Sequence, residues 1–286
     1  MSIQTIKNGN LEYLVAEGIA VPHCFTTRHG GVSSSSQESM NLAIGRGDSP
    51  GNVEANLRIL AKELGFDPEK YVLTRQIHSD IVRVVTEEDC NGFFHRDYPE
   101  CDALVTNTPG VALLVFTADC TPLLFHDPVT GAVGAAHAGW RGTALGIGER
   151  VVETMVKSFG CDPKNIRAAI GPNIAQCHFE TDRDVPDAML AAFGEEVNAF
   201  IEQRGEKYFL DLKAINALVL RRAGVEVKTV GLNGKIVYGS HAIGVEADMT
   251  IEELDVSDAE MLVLPGGLGG VASIRGCAAA LEAVKS

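Results

Sequence analysis

The sequence predicts an α/β protein of the α+β kind, whose sheets mix parallel and antiparallel strands. Stretches with helical spacing alternate with short apolar runs of strand length, and turn residues separate several runs closely enough for hairpins. The composition, 45% hydrophobic and 22% charged over 286 residues, is ordinary for a folded protein with a buried core. Parallel neighbours need long crossover connections, so the frequent hairpins favour mixed sheets.

The N-terminal part contains one clear helical pattern followed by extended chain. Apolar residues recur at helical spacing after Pro50, and Gly65 is expected to end this helix. Residues 71–86 are rich in Val and Ile, which predicts extended chain, with an interruption at Gln76-Ile77-His78-Ser79. The apolar positions of the helix are Val53, Leu57, Leu60, Ala61 and Leu64.

The centre of the chain contains three short apolar runs. Residues 111–118 form a continuous run, which predicts a strand that is covered on both faces. Residues 122–127 and 132–137 form two more, and the Pro128-Val129-Thr130-Gly131 segment between them is typical of a hairpin turn.

Helices are predicted in the second half of the chain. Thr143 is expected to cap a helix whose apolar stripe ends before Gly160. Further helices are predicted around 184–203 and 211–223, the second ending at Gly224. The stripe of the first helix consists of Ile147, Val151, Val152, Met155, Val156 and Phe159.

The hairpin brings two potential metal ligands near each other. If residues 128–131 form a four-residue loop, Pro122 lies opposite His137, and Cys120 lies on the same face as His137. Side chains on that diagonal are about 7–8 Å apart at the backbone, close enough to reach one ion. A one-residue slip in register would put them on opposite faces. A packed Cys and a packed His are the alternative interpretation, and spacing alone leaves both open.

Charge and cysteine content limit the classes of function. The net charge of −14, without a basic run, predicts that the partner is not a nucleic acid. No apolar run approaches the roughly 20 residues of a bilayer crossing, and the N-terminal residues lack a secretion signal. We therefore expect a cytoplasmic protein without a membrane partner. The seven cysteines follow no regular spacing, which favours free thiols or metal ligands over disulfides.

Six segments carry a resemblance to a known family. They are FTTRHGGVSSS, NLAIGRGD, RQIHSD, CDALVTNTPGVALLVFTADCTPLLFHDP, GAVGAAHAGWRGT and AAIGPNIAQCHFE. Over about residues 1–226 they resemble the YfiH family, also called the laccase-domain or multicopper polyphenol oxidase family. The resemblance implies a layered α/β/β/α architecture and a catalytic domain that binds a zinc ion through His78, Cys120 and His137.

Other residues are predicted to act beside that ion. Three protein ligands leave a fourth position open, as in catalytic zinc sites. Asp119 is expected to orient a ligand, with a strand-end cap as the alternative, and Gln76 is expected to contact substrate. Arg141 and Thr143 open the helix predicted after His137, which suggests an anion site; the alternative for Arg141 is an ordinary surface position.

The Arg28-His29-Gly30-Gly31 segment is a second candidate for the site. Paired glycines permit close backbone approach to a ligand, and the resemblance implies that this loop lies at the active site. Arg28 and Gly30 are therefore predicted to bind substrate, and Arg28 to assist catalysis; a plain turn is the alternative. Cys177 is expected to be a packed thiol, because His178 stands where many family members have a second Cys.

The resemblance implies an enzyme that acts on purine nucleosides. The expected activities are phosphorolysis of adenosine, inosine and methylthioadenosine, with adenosine deamination in addition. Nucleoside and phosphate are the expected partners of a monomer or homodimer. The alternative is a copper-dependent polyphenol oxidase, since His and Cys ligands also bind Cu²⁺. Against laccase chemistry, no two of the eight His residues are two positions apart. The open coordination position disfavours a third class, a non-catalytic binding protein.

The C-terminal residues depart from this pattern. Residues 227–286 resemble a fragment of the PfpI-type family, with the crossover near LRRAGVEV. We expect no independent domain there, because the predicted strands at 228–231 and 261–264 and a final helix are too few to close a core. The first of these strands is expected to replace the last strand of the YfiH-like sheet. Cys277 does not match the PfpI-type nucleophile, so no PfpI-type activity is expected.

Overall fold

A computed structural model describes residues 3–16, 18–90, 92 and 98–225, and the backbone of four short strands beyond them. The predicted strand at 261–264 and the predicted final helix lie outside the described residues. The first thirteen strands are β1 (Ile3–Asn8), β2 (Leu11–Ala16), β3 (Phe25–Thr26), β4 (Tyr71–Leu73), β5 (Val82–Val84), β6 (Ala103–Thr106), β7 (Ala112–Leu114), β8 (Thr121–His126), β9 (Val133–Ala138), β10 (Arg167–Ile170), β11 (Glu180–Thr181), β12 (Ile201–Arg204) and β13 (Lys207–Leu210). The four short strands are β14 (Val230–Gly231), β15 (Ile236–Tyr238), β16 (Gly244–Glu246) and β17 (Met249–Thr250).

The described part of the chain contains five α-helices. They are α1 (Pro50–Leu64), α2 (Trp140–Ala144), α3 (Ile147–Phe159), α4 (Asp184–Phe193) and α5 (Leu212–Arg222). None of the described helices has both the length and the apolar character that crossing a bilayer demands.

The largest sheet has the strand order β10-β8-β9-β6-β5. The β5–β6 pair is parallel and the other three pairs are antiparallel, so the predicted mixed sheet is confirmed. The predicted hairpin register is also confirmed: Pro122 pairs with His137, and the Asp127 amide donates to the Ala132 carbonyl at 2.9 Å. This register fixes which face of the sheet each side chain occupies.

The described elements form the predicted α/β/β/α layers. Helices α3 and α5 cover one face of the five-stranded sheet, where Leu123 packs in a cluster with Val151 and Leu220. On the other face, Leu104 packs with residues of the two-stranded β4–β7 sheet. Helix α1 covers the far side of that small sheet, with Leu57 against Tyr71. The mixed α/β fold is therefore confirmed.

Helix ends follow local signals. Helix α1 has Pro50 in its first turn, the Ser49 hydroxyl accepts from the Asn52 amide, and Gly65 ends it at φ 74°, as predicted. The predicted cap at Thr143 is wrong: Gly146, at φ 79°, precedes α3, and Thr143 lies inside the short α2. Helix α5 agrees with the prediction at 211–223.

Two further predictions of secondary structure are wrong in extent. The helix predicted at 184–203 ends at Phe193, because Gly194 adopts φ 76° and ψ −166°, which no helix continues. The run at 111–118 provides only the three-residue strand β7, and its residues are half-buried instead of covered on both faces. Strand β7 pairs with β4 in a two-stranded sheet, which leaves part of the run near solvent.

Candidate metal centre

The potential ligands gather at one end of the five-stranded sheet. Cys120 directly precedes β8, His137 is near the end of the antiparallel β9, and His78 lies in the loop that leads into β5. Because β8, β5 and β6 begin at the end where β9 finishes, these side chains meet at a single edge. Strand pairing thus brings together residues that are up to 59 positions apart, from His78 to His137.

The three side chains form a group that can hold a metal ion. Their potential ligand atoms all lie within 4.8 Å of one another, and the rings of His78 and His137 meet edge to face at 83°. Bonds of about 2.0–2.3 Å to a tetrahedral ion bring ligand atoms to about 3.5 Å from one another. The 4.8 Å limit is wider than that, and His78 is exposed while Cys120 is half-buried.

Gly139 leaves the space that an ion needs. A Cβ atom on this residue would lie 3.1 Å from the Cys120 Sγ and 3.5 Å from the His137 Cε1. Its φ of −67° is allowed for any residue, so space and not backbone conformation requires glycine. Two imidazoles, one thiol and an unfilled space between them fit a zinc ion with an open fourth position.

Asp102 orients two of the three potential ligands. Its carboxylate is fully buried and accepts a hydrogen bond from the His137 Nδ1 at 2.8 Å. The same carboxylate accepts from the amide of His78 at 3.0 Å and from the amide of Ser79 at 2.7 Å. Burial alone would raise the pKa of Asp102, but the hydrogen bonds from His137 and Ser79 outweigh it and hold the pKa well below its usual range.

The electrostatics of His137 follow from this contact. Burial would lower the pKa of the imidazole, but the hydrogen bonds with Asp102 and Cys120 raise the pKa to about 9. A metal ligand must be without its proton, so a cation at Nε2 would compete with a proton there.

Arg141 and Thr143 lie on α2, directly after Gly139. The Arg141 side chain is exposed, and its guanidinium stacks 4.1 Å above the centre of the Trp140 ring. Thr143 points the other way: it is buried, and its hydroxyl accepts from the Asn216 Nδ2 at 3.1 Å. The positive charge of Arg141 is thus at the surface. The Thr143 hydroxyl is inside the protein and is hydrogen-bonded to Asn216.

The Arg28 loop is held by its own contacts. The Arg28 guanidinium donates to the Glu38 carbonyl, at 3.0 Å from its Nη2. Gly30 has φ 93°, and a Cβ there would lie 2.3 Å from the Leu11 Cα. The glycine therefore permits close approach of the chain's own backbone, which accounts for it without a ligand.

Gln76 and Asp119 both bond to backbone atoms of the protein. The Gln76 side chain makes two hydrogen bonds with the backbone of Phe116, both at 2.8 Å. Its Nε2 donates to the Phe116 carbonyl, and its Oε1 accepts from the Phe116 N–H. Asp119 is exposed, and its carbonyl accepts from the Ile174 amide at 2.9 Å. Gln76 thus fixes the chain before Cys120, and the carboxylate that contacts both His78 and His137 is that of Asp102.

Cys177 is not the packed thiol that was expected. It is exposed, and its Sγ lies 3.0 Å from the Nδ1 of His178.

The residues that sequence reasoning missed are Asp102, Ser79 and Gly139. Asp102 had a signal: a carboxylate directly before the buried strand β6 is costly unless it is hydrogen-bonded. Ser79 and Gly139 had a weaker signal. Ser79 is adjacent to the predicted ligand His78, and Gly139 is two positions after the predicted ligand His137. Neither spacing nor composition distinguishes them from ordinary loop residues.

Comparisons with known proteins agree with this geometry. Residues 22–239 match the family model described as multi-copper polyphenol oxidoreductase laccase. The chain is 45% identical over 216 residues to a purine nucleoside phosphorylase of Deinococcus radiodurans, which covers 75% of this chain and 80% of that protein. It is 38% identical over 210 residues to the purine nucleoside phosphorylase YfiH of Escherichia coli, covering 73% of this chain and 81% of that protein.

A solved structure extends the likeness to three dimensions. YlmD from Geobacillus stearothermophilus superposes with a TM-score of 0.73 at 35% identity, covering 78% of this chain and 84% of that one. Residues 208–286 separately match the DJ-1/PfpI family model, and the two matched ranges overlap around the predicted crossover. By sequence and by structure, this chain therefore belongs to the multi-copper polyphenol oxidoreductase laccase family, with the proteins named YfiH and YlmD.

Proposed function

We propose that this protein is a zinc-dependent purine nucleoside phosphorylase with additional adenosine deaminase activity. The observation that supports it best is the convergence of His78, Cys120 and His137 around the space left by Gly139. The relatives in Deinococcus radiodurans and Escherichia coli carry the name purine nucleoside phosphorylase, which supplies the substrate class.

The proposed reaction joins a purine nucleoside and phosphate. The bond between the purine nitrogen and C1′ of the pentose breaks, a C1′–oxygen bond to phosphate forms, and the purine nitrogen takes up a proton. The products are a free base and a pentose 1-phosphate. When bound, a zinc ion with an open position polarises a substrate oxygen or lowers the pKa of water.

The chain's own residues supply positioning and charge. Asp102 holds His137 with Nε2 towards the site, and Gly139 keeps the space beside the ligands free. Arg141 provides an exposed guanidinium four positions after His137, which is suited to binding the phosphate anion. Arg28, bonded to Glu38, is a second candidate for that role if its loop rearranges on substrate binding.

The test combines metal analysis with product analysis on the full chain. We expect about one zinc per chain, and base release from inosine that needs phosphate and yields pentose 1-phosphate. The triple variant His78→Ala, Cys120→Ala, His137→Ala should lose the bound zinc and the phosphate-dependent base release. His126→Gln is the matched control, because His126 is a buried imidazole on β8 away from the group. Base release at the wild-type rate in the triple variant would contradict the proposal.

A copper-dependent polyphenol oxidase is the alternative. The description of the matched family model favours it, and a thiolate with two imidazoles binds Cu²⁺ tightly. Within the described residues, however, His78, Cys120 and His137 form the one group of three or more potential ligands, whereas laccase chemistry needs several copper ions. Oxygen uptake with a phenol that scales with bound copper, without phosphate-dependent base release, would favour the oxidase.

A further inference from the structure

The buried carboxylate of Asp102 accepts five hydrogen bonds. Its Oδ2 accepts from the Ile77 amide at 3.1 Å and from both the amide and the hydroxyl of Ser79 at 2.7 Å. Its Oδ1 accepts from the His78 amide at 3.0 Å and from His137 at 2.8 Å. A buried carboxylate is costly unless such donors surround it.

These bonds hold His78 in a conformation that its side chain disfavours. His78 has φ 63°, in the left-handed region that non-glycine residues adopt only at a cost in free energy. Three successive amides, from Ile77 to Ser79, turn towards the carboxylate because of that conformation. The loop is thus shaped around Asp102, and the direction of the His78 side chain depends on it.

The bond to His137 selects one form of its imidazole. A carboxylate without a proton only accepts hydrogen bonds, so the His137 Nδ1 must carry the hydrogen. The other ring nitrogen, Nε2, is then the atom that offers a lone pair to an ion. The backbone reinforces this arrangement, because the His137 amide donates to the Asp102 carbonyl at 2.8 Å.

We propose that Asp102 is the positioning residue that assembles the metal centre. One carboxylate sets the backbone of the first histidine and the ring nitrogen of the second, and so determines the distance between them before an ion arrives. This inference rests on the proposed metal site, and it holds whichever nucleoside is the substrate. It assigns to Asp102 a role in ion affinity that is separate from its contribution to stability.

The test is zinc affinity in Asp102→Asn, measured on the full chain by competition with a coloured chelator. An amide has one acceptor oxygen and an NH₂ group that faces the donors, so we expect zinc to bind about 10–100-fold more weakly. Cobalt(II) in place of zinc gives a second reading, because its visible spectrum reports the ligand geometry. We expect that spectrum to change in Asp102→Asn even at saturating cobalt.

Asp127→Asn is the matched control. Asp127 is equally buried and its Oδ1 accepts the Val129 amide at 2.8 Å, but it lies at the opposite end of the same hairpin. The Asp127→Asn variant should be less stable than the wild type but keep the wild-type zinc affinity and cobalt spectrum. Ser79→Ala, which removes one of the five bonds, provides a milder variant if Asp102→Asn does not fold. It should weaken zinc binding by a few-fold.

The outcomes separate this inference from the proposed function. If the wild type binds zinc and a folded Asp102→Asn binds it equally well with an unchanged cobalt spectrum, the positioning role is wrong and the metal function stands. Equal loss in Asp102→Asn and Asp127→Asn would show a structural effect only, which also overturns it. A wild type that binds no zinc would overturn the metal function and, with it, this inference.

Discussion

Gly139 lies directly against His78: a Cβ atom on Gly139 would be 2.8 Å from the His78 Cδ2. Gly139→Ala should therefore push His78 away from Cys120 and His137 and fill the space for an ion. We expect zinc affinity to fall by about tenfold or more, since small displacements of ligands are costly at metal sites. Chelator competition on the purified variant measures this.

Gly148→Ala is the control for that substitution. Gly148 is buried in α3, and a Cβ there would meet its nearest neighbour, a Leu123 methyl group, at an ordinary 3.5 Å. Alanine also favours the helix by up to about 1 kcal/mol. We expect unchanged zinc affinity and equal or higher stability. Wild-type affinity in Gly139→Ala would show that the ligands do not need this space.

Gly31 is required by the packing of the Arg28 loop. A Cβ on this residue would lie 2.1 Å from the Ser39 carbonyl oxygen and 2.6 Å from the Asn56 Oδ1. Asn56 is fully buried and accepts the Val32 amide at 2.7 Å, so it has no room to move. Gly31→Ala should lower the free energy of unfolding by about 1–3 kcal/mol, as overpacking does. Urea unfolding measures the change.

Gly51→Ala is the matched substitution for this measurement. Gly51 is exposed in the first turn of α1, and a Cβ there would meet nothing within 4 Å. The stability of the Gly51→Ala variant should match or slightly exceed that of the wild type. Equal stability of Gly31→Ala and Gly51→Ala would contradict the close packing of the loop.

Arg141 is expected to affect phosphate more than nucleoside. Its guanidinium is exposed and stacked on Trp140, so its removal should leave the fold intact. A charge-assisted hydrogen bond contributes about 1.5–3 kcal/mol, so Arg141→Gln should raise the KM for phosphate by about tenfold or more. Initial rates of base release at varied phosphate measure this.

Arg204→Gln is the control for Arg141. Arg204 stacks in the same way, 4.2 Å above the Phe209 ring, but on the β12–β13 hairpin. It should leave the KM for phosphate unchanged. An equal rise in both variants would indicate a general effect of charge and not a phosphate contact.

Asp48 should contribute to stability in a way that depends on pH. Hydrogen bonds from Ser33, Asn52 and Asn41 lower the pKa of Asp48 to about 2. Because the folded pKa is below the unfolded value of about 4, the contribution is complete above that value and is lost as pH falls through the folded pKa. The stability advantage of the wild type over Asp48→Asn should shrink between about pH 4 and pH 2. A constant difference in urea unfolding across that window would refute this.

Local signals predicted much of the fold and missed what tertiary packing decides. The turn residues at 128–131 and the two flanking apolar runs were enough for the hairpin register, because side-chain alternation allows few registers. Helix α1 followed from apolar spacing and a terminal glycine. The extent of β7 did not follow, since an apolar run does not show how many strands lie beside it.

The residues of the candidate site also fall into those that local sequence predicts and those that tertiary packing brings together. Cys120 and His137 were predicted to be neighbours from the hairpin alone, whereas His78 came only from the family resemblance. The structure brings His78 to them through the parallel β5–β6 pair, a contact between separate parts of the chain that sequence spacing does not encode. Asp102 and Gly139 act through short contacts to the three residues, and such contacts are visible only in three dimensions.

The three potential ligands differ in their access to solvent: His78 is exposed, Cys120 half-buried and His137 buried. A cation that approaches from solvent would therefore meet His78 first and the buried His137 last. Access to the group is therefore from the His78 side, so substitutions around this surface side chain should change the rate of ion exchange as well as the affinity.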